Sequence, residues 1–380
     1  MTFTRRELSG AVADLGVFVP IAVALIVKNG LSPTAVLLPA AILYLTVAFA
    51  YGLPIPVQPL KALGAIAIAK GLGADEIAAA ALIMGAIFLV LGRLGLLDAA
   101  ARVFPRAVIR GVQLTVGLLL CKIAWGLVSN PPKSFSEHAL DPAWAVPLSA
   151  CVVGVAVIFR NRPVSLALVG IGAVVMVVQT VPGVELGPSA IELPSLSTAT
   201  FWAAFTVLVL PQLPLTFANS CLATADAAHV YFGDEAARVR PDRLATSLGS
   251  ANLVAGAISG MPVCHGAGGL TAHHAFGART GAAPLVMGTS LLALAVTVGA
   301  GLATLLTAFP LPILAGMLAT AGLLHIGLLR DLRGAFPWAV AIGVGALGFS
   351  VNLAPAVVLG LAAWWLPRGV VRLRTAFAQG

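Results

Sequence analysis

The stretch Pro54-Ile55-Pro56-Val57-Gln58-Pro59-Leu60-Lys61 interrupts an otherwise apolar chain with three prolines, an amide and an ammonium. A counterpart follows about two hundred residues later, Gly260-Met261-Pro262-Val263-Cys264-His265-Gly266-Ala267-Gly268-Gly269. Each opens with an apolar-Pro-Val triplet that resists helix, because proline has no N–H and pushes the residue before it toward extended geometry. Each then runs into a helix-compatible segment, Ala62 to Ala69 in one case and Leu270 to Phe276 in the other. Interrupted hydrophobic segments at matching places in two halves of a membrane chain point to a transporter's binding site.

The class follows from composition. Hydrophobic residues make up 59% of the chain and charged residues 9%, with a mean hydropathy of +1.02. A soluble core has no need of such a balance. Apolar runs near the roughly 20 residues a bilayer crossing requires recur throughout. They number about fourteen, at 9–27, 33–52, 57–71, 76–95, 105–128, 143–159, 163–181, 199–223, 242–260, 264–278, 283–303, 307–328, 335–350 and 352–367. The third and tenth are the interrupted ones and read as half-helices. Arg5-Arg6 ahead of an apolar run, with Ala22-Val23-Ala24 behind it, has the look of a secretory signal. No soluble mature protein follows, so the run reads as the first span. Cys121, Cys151, Cys221 and Cys264 stand isolated and imply no disulfide framework.

Loop charge tests the count, since cytoplasmic loops carry the excess of Lys and Arg. With the N-terminus inside and sides alternating, all seventeen arginines fall on the cytoplasmic side. Lys28, Lys70, Lys122 and Lys133 fall outside, and Lys61 lies within the membrane. The expected location is a bacterial inner membrane with both termini in the cytoplasm. The net charge of +8 reflects this topology and does not argue for nucleic acid.

The least hydrophobic connection lies near the midpoint. It divides residues 1–182 (segments 1–7) from 199–380 (segments 8–14), with 183–198 as the connecting loop. Seven being odd, the second half enters the membrane from the opposite side, which is the condition for an inverted repeat. An offset of 206 residues aligns Pro56 with Pro262. The two Pro-Val segments are expected to meet near the midplane as short extended strands, with buried backbone around them.

Two half-helix starts facing one cavity make an anion site, because N-terminal N–H groups lack intrahelical partners and the peptide dipoles add positive charge. Gly266, Ala267, Gly268 and Gly269 suit close approach of backbone to an oxyanion, although small residues also serve tight helix packing. Gln212, Thr216 and Asn219, spaced i, i+4, i+7, share one face of span eight, with Asp226 continuing the stripe. Gln58 and Lys61 stand on the other wall as an amide donor and a full charge. Asp14 is the unexpected charge, since a carboxylate at the bilayer centre costs roughly 2.5 to 3.5 kcal/mol. It is read either as an ion pair with Lys61 or as a proton-coupling group. Gln113 and Asn252 are expected to bond between helices, and Arg106 and Arg110 to anchor at the interface. His265 is placed at the mouth of the second half-helix, with His273 and His274 facing the cytoplasm. No histidine has an acid close by in its own segment, so a membrane metalloenzyme is disfavoured. No cofactor and no covalent chemistry are implied.

Ala13-Asp14-Leu15-Gly16 through Pro20, the first Pro-Val segment through Lys61, Pro211-Gln212-Leu213-Pro214-Leu215-Thr216 with Asn219-Ser220, and Pro262 through Gly269 with Phe276-Gly277-Ala278-Arg279 resemble the molybdate transporter family. That family is a branch of the sulfate permease superfamily. The resemblance implies an all-α membrane protein of seven plus seven inverted topology, with a core domain and a gate domain. It implies an oxyanion held between half-helices three and ten and carried by secondary active transport, molybdate before sulfate. Many sulfate permeases carry a regulatory domain after the last helix, and with the sequence stopping soon after Arg374 this chain is expected to lack it. Expected partners are the oxyanion and the bilayer, with a co-transported proton or other cation and a homodimer as candidates. A nucleobase:proton symporter of the same general fold is the alternative, but it calls for acids in spans eight and ten. Span ten has none and span eight has only Asp226 near its end.

Overall fold

A computed structural model describes residues 1–102, 104–159, 163–180, 184–351 and 353–377. Arg160 and Arg162 of the loop-charge argument lie outside the described residues, as do the side chains of Arg368, Arg372 and Arg374. In chain order the main elements begin with α1 (Arg5–Asn29) and α2 (Pro33–Ala50), then β1 (Gln58–Pro59) and α3 (Lys61–Lys70). Next come α4 (Ala74–Arg93), α5 (Arg106–Ser129), α6 (Pro142–Ile158) and α7 (Val164–Thr180). The second half opens with α8 (Thr198–Arg238), α9 (Pro241–Ala257), β2 (Val263–Cys264) and α10 (Ala267–Ala275). It closes with α11 (Ala282–Thr297), α12 (Leu311–Asp331), α13 (Ala335–Ser350) and α14 (Leu353–Phe377).

Local chemistry explains the boundaries. Ser32 and Asp141 accept from the backbone N–H of Ala35 and Ala143 at 3.5 and 2.8 Å, and a proline occupies the first helical position after each cap. Such a position needs no donor. Gly30 and Gly71 end α1 and α3 at φ 74° and 64°, a left-handed turn that glycine enters without steric cost.

Six helices, α1, α2, α4, α5, α8 and α12, are long and apolar enough to cross a membrane, and five shorter apolar helices accompany them. Large apolar side chains such as Phe49, Trp144, Ile158 and Trp202 remain exposed on the outside. An apolar exterior of this kind suits lipid rather than water. The protein is an integral, multi-pass membrane protein.

The helices sort into two packed groups. In one, α4 lies on α9, α2 on α11, and α2 also touches α9. Its core runs through Leu25, Leu37, Tyr44, Phe88, Leu244 and Leu248. In the other, α5 lies on α12 and α13, α12 on α6, and α13 on α14. Glycines let the backbones meet without side chains between them. A Cβ on Gly117 would sit 2.9 Å from the carbonyl oxygen of Gly322, and one on Gly322 would sit 2.8 Å from that of Gly117. Close approach at small residues is how helices associate where lipid supplies no hydrophobic drive.

The two Pro-Val segments do meet as extended strands, forming a two-stranded antiparallel sheet. The half-helices are shorter than the apolar runs at 57–71 and 264–278, because each run spends its first residues on a strand. The run at 199–223 lies inside a longer helix. α8 covers 41 residues and contains π-helical turns over Phe205–Val209 and Thr216–Ala223. Pro211 and Pro214 withdraw two N–H donors from this helix, and Leu210 N–H reaches back to Phe205. Extra residues per turn are the usual accommodation and often mark functional sites.

Candidate functional site

Gln58 lies opposite Cys264 and Pro59 opposite Val263 in the strand pair. Prolines make these strands poor in donors, so neighbouring side chains complete the bonding that buried backbone requires. Leu60 N–H donates to the Pro262 carbonyl at 3.0 Å. On the outer edge of β2, Asn252 of α9 takes the place of a third strand. Its Oδ1 accepts from Val263 N–H at 2.9 Å and its Nδ2 donates to the Val263 carbonyl at 2.7 Å.

Two histidines hold the Pro-rich carbonyls. His273 Nδ1 donates to Pro54 at 2.9 Å, and His265 Nδ1 donates to Pro56 at 3.1 Å. With Nδ1 as donor, neutral His265 presents Nε2 as an acceptor, and Ser247 Oγ stands 2.8 Å from it. Both nitrogens of His265 are thus engaged with protein behind the strand, away from the Gln58 side chain. His273 is likewise fully buried rather than facing the cytoplasm. His274 stacks on Tyr231, ring centroids 4.3 Å apart, beside a cavity of about 350 Å³ that Arg279 and Arg330 also line. The carbonyls freed by the Pro-rich backbone account for these roles.

α3 and α10 start where the strands stop. Their caps Leu60 and Gly266 are extended, and neither supplies a side-chain cap. Part of the vacancy on α3 is filled from α8, where Gln212 Oε1 accepts from Leu63 N–H at 2.9 Å and Nε2 donates to Thr216 Oγ1 at 2.9 Å. Gln212 therefore ties α8 to the first turn of a half-helix. Asn219 is buried with its Oδ1 unpartnered. Its carbonyl accepts from Thr224 Oγ1, five residues on, in keeping with the widened turn.

The centre of the site is a chain of three side chains. Gln58, fully buried, donates through Nε2 to Asp14 Oδ1 at 2.5 Å and accepts at Oε1 from Lys61 Nζ. Among the described residues no salt bridge joins Asp14 directly to Lys61, so the pairing is made through the amide. Two glycines make room for it. A Cβ on Gly266 would stand 2.0 Å from Gln58 Oε1, and one on Gly269 would stand 2.6 Å from Gln58 Nε2 and 2.7 Å from Asp14 Oδ2. A Cβ on Gly268 would instead meet Leu120 Cδ1 of α5 at 2.7 Å, so an apolar side chain of the second helix group covers that position. The Ala267 carbonyl accepts from Thr271 Oγ1 at 3.1 Å. Left for a ligand are the other N–H bonds of partly exposed Lys61, the second N–H of Gln58, and the N-terminal turns of two half-helices. That set suits a compact anion.

Arg110, expected at the interface, is fully buried, whereas Arg106 is exposed. Arg110 Nε donates to Asp331 Oδ1 at 2.8 Å and Nη2 to Asp331 Oδ2, while Nη1 reaches Asp226 Oδ2 and Gln113 Oε1. Its depth has the ordinary cause that an intramembrane cation must be paired. Asp226 on α8 and Asp331 at the end of α12 are the partners. Gln113 also donates weakly to the Ala223 carbonyl at 3.4 Å, bonding between helices as expected. His325 drew no attention in the sequence. It is fully buried on α12, with Nδ1 2.7 Å from Thr271 Oγ1 and Nε2 unpartnered. A histidine inside an apolar run was the available signal.

A family model described as "Molybdate transporter of MFS superfamily" matches residues 6–120 and 204–324. Molybdate transporter 1 of Arabidopsis thaliana is 28% identical over 367 residues, covering 86% of this chain and 80% of the relative. Molybdate transporter 1 of Chlamydomonas reinhardtii is 27% identical over 496 aligned residues, covering 99% of this chain and 95% of the relative. Among solved structures, the transmembrane domain of a cyanobacterium bicarbonate transporter, BicA, superposes with a TM-score of 0.58 at 17% identity, covering 96% of this chain and 98% of that one. The last likeness concerns the fold.

Proposed function

Because this chain belongs to the molybdate transporter family, we propose that it carries tetrahedral oxyanions, molybdate first and sulfate second, across a membrane by alternating access. No enzymatic step is involved. The core domain is α1–α4 with α8–α11, and the gate domain is α5–α7 with α12–α14. The observation that carries the reading is the cluster at the strand pair, where Lys61, Gln58 and the starts of α3 and α10 converge. The acid-rich wall a nucleobase would need is missing from α10.

A seven plus seven inverted repeat fits the registers. The offset of 206 that relates Pro56 to Pro262 also relates Gln58 to Cys264, and these two are direct strand partners. In an antiparallel pair, a residue opposite its own equivalent lies on a two-fold axis. Gly117 and Gly322, in mutual contact, are separated by almost the same offset. Helix packing follows suit, since α2 on α11 mirrors α9 on α4, and α5 on α13 mirrors α12 on α6. On this reading both termini face the cytoplasm of a bacterial inner membrane.

The substrate contacts are Lys61, Gln58, Asn219 and the first-turn backbone of α10, with Thr216 and Gln212 holding the α3 side and His265 the strand. Asp14 is the proton candidate, with one carboxylate oxygen buried and free. Calorimetry with molybdate, tungstate, sulfate and uracil on the purified protein tests the proposal. Molybdate and tungstate are expected to compete strongly, sulfate less, and uracil not at all. Binding of uracil in preference to every oxyanion would overturn it.

A further inference from the structure

We propose that His325 is the gate-side ligand of the transported oxyanion, donating from Nε2 as an imidazolium, so that the anion and one proton bind together. The inference rests on the oxyanion reading and adds a residue from the opposite domain. His325 is fully buried, and Nε2 is among the buried polar atoms of the described residues that have no partner. Its other nitrogen sets the ring against α10, where Nδ1 meets Thr271 Oγ1, one turn beyond Ala267.

We assign the one hydroxyl hydrogen of Thr271 to the Ala267 carbonyl at 3.1 Å. In that arrangement Tyr231 OH, 3.0 Å away, and His325 Nδ1, 2.7 Å away, both donate to Thr271 Oγ1. In neutral His325 this leaves Nε2 with a lone pair, which repels an oxyanion. Uptake of one proton at Nε2 converts the repulsion into a charge-assisted hydrogen bond. Bound anion and bound proton therefore raise each other's affinity by the same factor.

The surrounding charges favour this coupling. Lys61 from α3 and Arg110 from α5 are the cations whose fields reach His325. Asp226 from α8 and Asp331 from α12 are both bonded to Arg110, and Asp14 from α1 is bonded to Gln58. On α10, His273 is held by Pro54 and His274 is stacked on Tyr231. Among the described residues each of these acids already has a partner, and on this proposal it is the arriving anion that offsets the neighbouring cations and lets His325 take its proton.

The test is calorimetry with sodium molybdate on the full-length detergent-purified protein, in buffers of differing ionisation enthalpy that count protons taken up. The wild type should take up close to one proton per anion above neutral pH, and its affinity should fall as pH rises. His325→Gln, which keeps a neutral donor, should bind about tenfold more weakly with the uptake abolished and the pH profile flattened. Thr271→Val, which removes only the Nδ1 partner, should retain proton uptake. If His325→Gln binds with wild-type affinity and wild-type proton uptake, the proposal fails. If the wild type binds no tetrahedral oxyanion at all, the transport reading itself fails, which is a separate outcome.

Discussion

At the scale of single residues, the amide of Gln58 is the centre of the proposed site. It is wedged between a carboxylate and an ammonium, with Gly266 and Gly269 leaving the space it fills. Replacing Gln58 by Ala removes a buried donor and acceptor together and should weaken molybdate binding by about 1–3 kcal/mol, readable as a shift in Kd. Asp14→Asn is expected to leave the fold and oxyanion binding in place yet flatten the pH dependence of uptake and prevent uphill accumulation in vesicles. Wild-type concentrative uptake by that variant would restrict Asp14 to holding Gln58. The residue types of this cluster were legible, because an acid and a lysine within apolar runs have few harmless explanations. Their arrangement was not, since nothing in spacing says that Gln58 stands between the two charges. For the same reason Gln212 was read as facing the ligand, whereas it bonds to Leu63 N–H. A long-range contact to backbone leaves no periodic trace.

At the scale of elements, the strand pair was foreseeable from proline chemistry, and its antiparallel register agrees with the 206-residue offset. What proline could not reveal is how the strands are satisfied. Asn252 makes two hydrogen bonds to Val263 alone. Asn252→Ala leaves a buried N–H and carbonyl without partners and should lower stability by about 1–3 kcal/mol, seen as a reduced Tm in detergent. Gly266→Ala is expected to abolish binding while the variant still inserts in the membrane, because the added carbon collides with Gln58 Oε1. Wild-type affinity in that variant would mean that Gln58 can leave without consequence. The length of α8 was underestimated because its π turns and prolines disrupt the 3.6-residue pattern on which a reading of the run depends.

At the scale of the whole molecule, α5 and α12 are tied to α8 and α10 on the Arg279 and Arg330 side by Arg110 with Asp226, and by His325 with Thr271. Arg110→Met strands two carboxylates, and breaking a buried pair costs about 3–5 kcal/mol. The lower end applies, as Asp331 is 35% exposed. Thermal unfolding of Arg110→Met against Arg110→Met with Asp226→Asn checks this, and the double variant should recover part of the loss. The Asp14–Gln58–Lys61 chain has one more consequence. With Asp14 ionised, its positive and negative ends cancel, so on the proposed mechanism an empty carrier crossing the bilayer moves no net charge, whereas a carrier holding a dianion with one proton on His325 moves one negative charge. Membrane potential acts on each net charge with about 2.3 kcal/mol per 100 mV. Voltage should therefore change the rate of the loaded stroke and leave the empty return untouched. Currents on a solid-supported membrane should appear on adding molybdate and be absent without it, and an Asp14→Asn carrier, left with an uncompensated lysine, should become voltage-sensitive on the empty return as well.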